Sequence, residues 1–224
     1  MSASSELATR GRKKKSSSTE LPFTSKPPQE VERQRVLDAA ERTFAGCGYA
    51  DTRMEQIAAS ARVSLRSVYA VAKGKAELFR IVQEVRGREL LSRIEEALAD
   101  EARSPSGMLM EYIALVATFM MDHRDFLRIQ LRDGHTWGMD DGRHVLSEAA
   151  EIGDELLERL LRRGIKTGCF HQEDPRTMVA SLRSLEQIQL ASWVSGRSRS
   201  SKRAVTETIQ RQAKRLFCRA EPGS

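Results

Sequence analysis

Three observations predict an all-α fold. Arg, Glu, Leu and Ala recur along the whole 224-residue chain, and no stretch alternates in the Val-, Ile- and Thr-rich manner of a strand. Apolar residues return instead at spacings of three and four. Aromatics at 5% and only six prolines leave long helices uninterrupted. The pattern is one of three short, clustered helices followed by roughly six longer ones.

Residues 1–28 are rich in Ser, Lys and Pro and poor in apolar side chains, which predicts a disordered basic leader. Of the chain's net charge of +6, this leader carries +4. From Gln29 to Ala45, Val36, Ala40 and Phe44 recur every four residues beside Leu37, which predicts an amphipathic helix. Gly46 and Gly48 are expected to end it, one of them left-handed, with Tyr49 packing back beneath it. Met54, Ile57, Ala58 and Ala61 form the stripe of a short second helix that Thr52 begins. Val63 breaks the stripe, and Ser64 is placed to cap a third helix, Leu65 to Val71.

Lys75 to Asp100 reads as a long helix. Pro105 is expected to interrupt, and Gly107 to Asp122 to resume as a nearly charge-free helix buried on most sides. Arg124 to Arg132 is another helical piece. Beyond the loop GHTWGMDDG, His144 to Arg163 returns to helix, closed by Gly164 and Gly168. Asp174-Pro175 joins an N-cap to a first-turn proline and opens a helix to about Trp193. The loop VSGRSRSS leads to the last helix, Lys202 to Cys218.

The third helix is too short and too polar to be a core element. Its outward residues, Leu65, Arg66, Ser67 and Tyr69, suit a nucleic acid, and a helix, tight turn and displayed polar helix is the arrangement that enters a major groove. A guanidinium matches guanine O6 and N7 bidentately, so Arg66 either reads a base or is a solvated surface arginine. Leu65 and Ser67 are candidates for base edges or thymine methyls. Tyr69 contacts phosphate or packs inward. Arg53 and Arg62 add positive charge. The leader's GRKKK either reaches a neighbouring groove or solubilises the chain.

Several function classes find no support. The cysteines Cys47, Cys169 and Cys218 are odd in number, far apart and without a CxxC pair, so neither a disulfide framework nor a zinc site is expected. The N-terminus lacks an apolar core of the secretory kind, and the longest uncharged apolar run, Tyr112 to Met121, is too short to span a bilayer. A soluble, cytoplasmic protein without membrane association is the expectation. No GxSxG, HExxH or GxGxxG occurs, and Gly74-Lys75 lacks the earlier glycine of a P-loop. Catalytic residues, a metal site and a cofactor are therefore not expected, and the chain is read as a non-enzyme.

The helix ending Phe44-Ala45, then Gly48-Tyr49, Thr52, Ile57-Ala58, Val63-Ser64, Tyr69 and Lys75-x-Glu77-Leu78-Phe79, resembles the DNA-binding domain of the tetracycline-repressor (TetR) family of bacterial transcription regulators. The likeness is concentrated in residues 33–79; the remainder matches only in helix number and length. It implies a disordered leader (1–28), a helix-turn-helix domain (29–75) and an effector-binding and dimerisation domain (76–224). Thr52 and Lys75 resemble the family's phosphate clamps, with Ser64 and Tyr69 in the same frame. Two departures stand out: Arg62 where glycine is frequent, and Ala70-Val71-Ala72 where an aromatic run is common.

The resemblance further implies a homodimer on a palindromic operator in double-stranded DNA, repressing until a small-molecule effector releases it. Its last two helices would pair with their copies, through Met178, Leu182, Leu185 and Gln189 on one and Val205, Ile209 and Leu216 on the other. Tyr112, Val116 and Phe119, with His135 and Trp137 from the loop and Gln187 as a polar anchor, are candidates to line a cavity for a mainly apolar effector. The alternatives are an effector-free architectural DNA binder, or a helical small-molecule-binding protein or enzyme that does not bind DNA.

Overall fold

A computed structural model describes residues 28–133 and 148–219 of the chain. Among the described residues there are nine α-helices, and extended pairing is limited to one isolated bridge between Phe170 and Cys218. The expected all-α class is observed. The helices are α1 (Pro28–Cys47), α2 (Met54–Ala61), α3 (Leu65–Val71), α4 (Lys75–Leu98), α5 (Pro105–Asp122), α6 (Arg124–Asp133), α7 (Glu148–Lys166), α8 (Pro175–Val194) and α9 (Lys202–Phe217).

The buried residues divide into two clusters. The first gathers Val36, Ala40 and Phe44 of α1, Met54, Ile57 and Ala61 of α2, and Val68 of α3, with Leu78 and Val82 of α4. Ile129 of α6 completes it from far along the chain. Tyr49 does pack back as expected: its ring stacks on Phe44 at 6.2 Å and meets Phe79 edge-on at 5.0 Å. The second cluster is built from α4, α5 and α7–α9 around Leu109, Tyr112, Ile113, Leu157, Leu161 and Leu182, and takes Leu127 from α6. The α6 helix thus contributes to both cores.

Helix ends differ from the sequence reading at three points, each for a local reason. Pro105 does not interrupt a helix but opens α5, where its missing N–H is not needed; Ser104 caps it, accepting from Gly107 N at 3.2 Å. Gly46 lies inside α1, and the stop is made by Gly48, left-handed at φ 84°. Gly164 likewise does not end α7, which continues to Lys166. It is a packing glycine: a Cβ there would stand 2.0 Å from the fully buried Phe170 ring. Closure falls to Gly168, at φ 76°.

Candidate nucleic-acid interface and buried polar cluster

The α2–α3 unit displays its third helix as the sequence leads one to expect. Ser64 is extended and caps α3, its hydroxyl accepting from Ser67 N at 3.1 Å and lying 2.8 Å from the Ser67 hydroxyl. Of the residues in α3, Val68 alone is fully buried and anchors it to the core. Leu65, Arg66 and Tyr69 are exposed, Tyr69 to 48%, and Ser67 is half-buried. A leucine and a tyrosine held in water on a seven-residue helix have no packing role to explain them. Arg66 makes no hydrogen bond or ion pair with the described residues, and Arg53 and Arg62 are also exposed.

Arg62 carries a backbone peculiarity. At φ 56° and ψ 45° it is left-handed, and among the described residues it is the one non-glycine with positive φ. It terminates α2, its N–H reaching the Ala58 and Ala59 carbonyls. The preference for glycine at this place in the resembling family has its physical reason here.

Two expected phosphate contacts are placed differently. Thr52 is 1% exposed and its hydroxyl donates to the Gly48 carbonyl at 2.7 Å, so its side chain braces the α1–α2 turn and is closed to a phosphate. The α2 N-cap is Arg53 instead, whose N–H donates to Gln56 Oε1 at 2.8 Å. Lys75 is half-buried; its ammonium donates to the Ala50 carbonyl at 2.9 Å and sits 4.7 Å above the Tyr49 ring. Its charge is held in position rather than free on a flexible stem. Of the departing run, Ala72 is buried and Ala70 exposed. The GRKKK segment lies outside the described residues.

In the C-terminal core, four of the residues assigned to a dimer face are otherwise engaged. Met178, Leu182, Val205 and Ile209 are buried within this one chain, packed on α5 and α7, and cannot also face a second copy. Leu185 is half-buried against the same core, and Gln189 donates to Gln212 at 3.3 Å, tying α8 to α9. The large apolar side chains that α8 and α9 leave exposed are Ile188 and Leu216, each to 56%. Ile188 is not among the sequence candidates: the stripe read along α8 coincides with the core stripe at Met178 and Leu182, departs from it by one residue at Leu185 and Gln189, and does not include Ile188.

The true core stripe of α8 is Met178, Leu182, Glu186 and Leu190, four residues apart throughout. A glutamate in the third place of an otherwise apolar stripe was the readable sign of something unusual. Glu186 Oε2 accepts from Arg183 Nη1 at 3.2 Å, while Arg183 also donates to Asp154 Oδ1 of α7 from Nη2 at 2.5 Å and from Nε at 3.1 Å. The Arg183 guanidinium lies 5.8 Å from the Tyr112 ring centroid without completing a hydrogen bond to its hydroxyl. Tyr112 OH and Glu186 Oε1 are both buried and unpartnered. Burial raises the pKa of Glu186 and pushes the Tyr112 phenol up as well.

The other effector candidates are less informative. Val116 is fully buried in the core, Phe119 is buried against His123 at 4.3 Å between centroids and under the Arg93 guanidinium at 5.2 Å, and Gln187 is half-buried. His135 and Trp137 lie outside the described residues. An open groove of about 310 Å³ runs between α4 and α7, with Leu91, Ala149 and Ile152 at its base and Glu84, Arg88, Glu95 and Glu148 around it. None of the helices in the described residues is long and apolar enough to cross a membrane.

Residues 36–82 match the model of a family described as bacterial regulatory proteins, tetR family. No curated protein matches the chain. Solved structures sharing the fold include the fatty acid degradation regulator FadR from Bacillus halodurans, at 17% identity and a TM-score of 0.72, over 85% of this chain and 96% of that one. A tetR-family regulatory protein from Rhodococcus RHA1 is 23% identical, with a TM-score of 0.71 over 85% and 98%. FadR from Bacillus subtilis, solved in complex with stearoyl-CoA, is 16% identical, with a TM-score of 0.68 over 80% and 96%. The shared fold extends over most of the chain, whereas the family match runs from within α1 into the first part of α4.

Proposed function

We propose that this protein is a homodimeric transcriptional repressor, bound to a palindromic operator through α2–α3 and released from it by a small effector in the α4–α9 domain. The observation that carries the reading is α3. It is a capped, seven-residue helix that buries Val68 and presents Leu65, Arg66 and Tyr69 to solvent, in a domain matched by a family of regulators. Arg66 is positioned to read a base edge, with Leu65 and Ser67 beside it. Arg53, Arg62, Ser64, Tyr69 and Lys75 flank it as phosphate contacts that fix register.

One such helix reads only a few base pairs, and a second copy about one helical turn away reads the symmetric half-site. The face for that pairing is formed by α8 and α9 around Ile188 and Leu216, continued by Leu185 and Gln189 at its edge. For the effector, the apolar walls of α5 around Tyr112, Val116 and Phe119 favour a largely apolar molecule. That the similarly folded Bacillus subtilis regulator was solved with stearoyl-CoA supports an apolar ligand in this fold. Such a ligand acts only by binding the two dimer states unequally.

Selection of bound sequences from random DNA tests the reading. Recovery of a palindrome with half-sites about 10 base pairs or a multiple apart is the expected result. Enrichment of no sequence would identify an architectural binder, and failure to retain DNA would remove the regulatory reading altogether.

A further inference from the structure

Glu186 stands where α8 calls for an apolar side chain, and its surroundings do not balance its charge. Among the described residues the cation it meets is Arg183, already shared with Asp154 of the neighbouring helix α7. Arg183 and Asp154 alone would form a neutral pair, and their side chains are about a third exposed. The second carboxylate lies deeper, at 5% exposure, with Oε1 unpartnered, and the cluster's formal charge is one negative in excess. Tyr112 of α5 brings a second unpartnered polar atom, its hydroxyl, to the same guanidinium. Apolar residues of α5, α7 and α8 pack around the buried Tyr112 and Glu186, while Arg183 and Asp154 reach toward solvent. A buried group with unmet acceptors and surplus negative charge is complementary to a positively charged donor.

We propose that the Tyr112–Arg183–Glu186–Asp154 cluster is the polar end of the effector site, and that it takes a lipophilic cation: an apolar body carrying a protonated amine. The ammonium donates to Glu186 Oε1 and to the Tyr112 hydroxyl oxygen, and its charge balances the second carboxylate. The apolar body lies along α5. A carboxylate or phosphate headgroup would add a third negative charge beside two, with the single arginine already divided between them. The inference rests on reading α4–α9 as an effector domain, and it separates this chain in ligand charge from a regulator that takes an acyl-CoA.

The test is titration of the full-length chain, by calorimetry below the aggregation concentration of each probe, with decylammonium, decanol and decanoate at fixed ionic strength. Decylammonium is expected to bind about 10-fold or more tightly than either of the others. Glu186→Gln, which keeps the shape and removes the charge, should weaken decylammonium by about 10-fold and leave decanol unchanged. Tyr112→Phe should produce a smaller loss for the amine alone. Both variants are checked by thermal unfolding. Since Glu186→Gln relieves an unbalanced buried charge, it should melt at or above the wild-type temperature.

Equal affinity for the three probes, preference for decanoate, no binding of decylammonium, or an amine affinity indifferent to Glu186→Gln would each overturn the proposal. Release of the selected operator is read in parallel. If decanoate releases DNA and decylammonium does not, the charge preference fails while the repressor reading stands. If decylammonium binds through Glu186 without altering DNA affinity, the site stands and the repressor reading fails.

Discussion

Arg62 sets two demands against each other at one residue. A left-handed conformation costs an L-residue about 1–2 kcal/mol, which glycine avoids at the expense of greater chain entropy when unfolded. Arg62→Gly should therefore raise stability by roughly 0.5–1 kcal/mol, read as a higher denaturant midpoint at unchanged slope. The same change removes an exposed guanidinium from the turn that leads into α3. Operator affinity should fall, and its logarithmic dependence on salt should become shallower by about one unit. A more stable variant with undiminished DNA binding would show that Arg62 touches no phosphate. Arg66 is tested by specificity instead of salt. Arg66→Ala should cost about 1–3 kcal/mol at one operator position, with little loss on sequences already altered there. A uniform loss across all sequences would demote it to a backbone contact.

At the level of elements, α6 links the two cores. Ile129 is fully buried among α1, α2 and α4, while Leu127, two residues earlier, is buried in the C-terminal core. Gln130 donates to Gln83 of α4 at 2.6 Å, and Arg132 reaches the Gly46 carbonyl at the end of α1. Beside it, Arg86 of α4 bridges Glu41 of α1 at 2.8 Å and Glu89 at 3.0 Å. His123, where α5 meets α6, lies 3.6 Å from Glu89, its pKa lowered by burial and by Arg86. Packed interiors transmit small displacements, so a shift of α6 in one core must be felt in the other. Ile129→Ala should raise amide exchange chiefly in α1 and α2, and Leu127→Ala chiefly in α5 and α8. Uniform loosening by both would make the molecule one cooperative unit without a two-sided α6.

Little of this was legible in the chain. The stripes of α1 and α2 and the Ser64 cap follow from spacing alone, because those contacts are local. That Ile129 belongs to a core assembled from residues 36–82 is a tertiary fact without a periodic signature, and so is the inward turn of Thr52. The α8 stripe was in principle readable, but Leu185 and Gln189 offered an equally regular spacing free of a charged residue.

For the whole molecule, the proposed function depends on a second copy, and the surface available for it is narrower than helix periodicity suggested. With Met178, Leu182, Val205 and Ile209 committed to the protomer's own core, α8 and α9 present Ile188 and Leu216 to solvent. Exposed apolar residues on two helices packed on each other fit a two-fold face in which each helix meets its copy. Because both side chains are more than half exposed, replacing them removes little from the protomer's core. The double change Ile188→Glu with Leu216→Glu should leave the melting temperature of the folded protomer near that of a dissociated wild-type chain. It should halve the mass measured by light scattering, since four like charges would then be buried at the axis. Binding to a palindromic duplex should weaken by about 10²-fold or more as the second half-site ceases to be an intramolecular event. Binding to a single half-site should change little. A variant that remains dimeric would place the interface elsewhere, and a monomer that keeps full affinity for the palindrome would show that one recognition helix suffices.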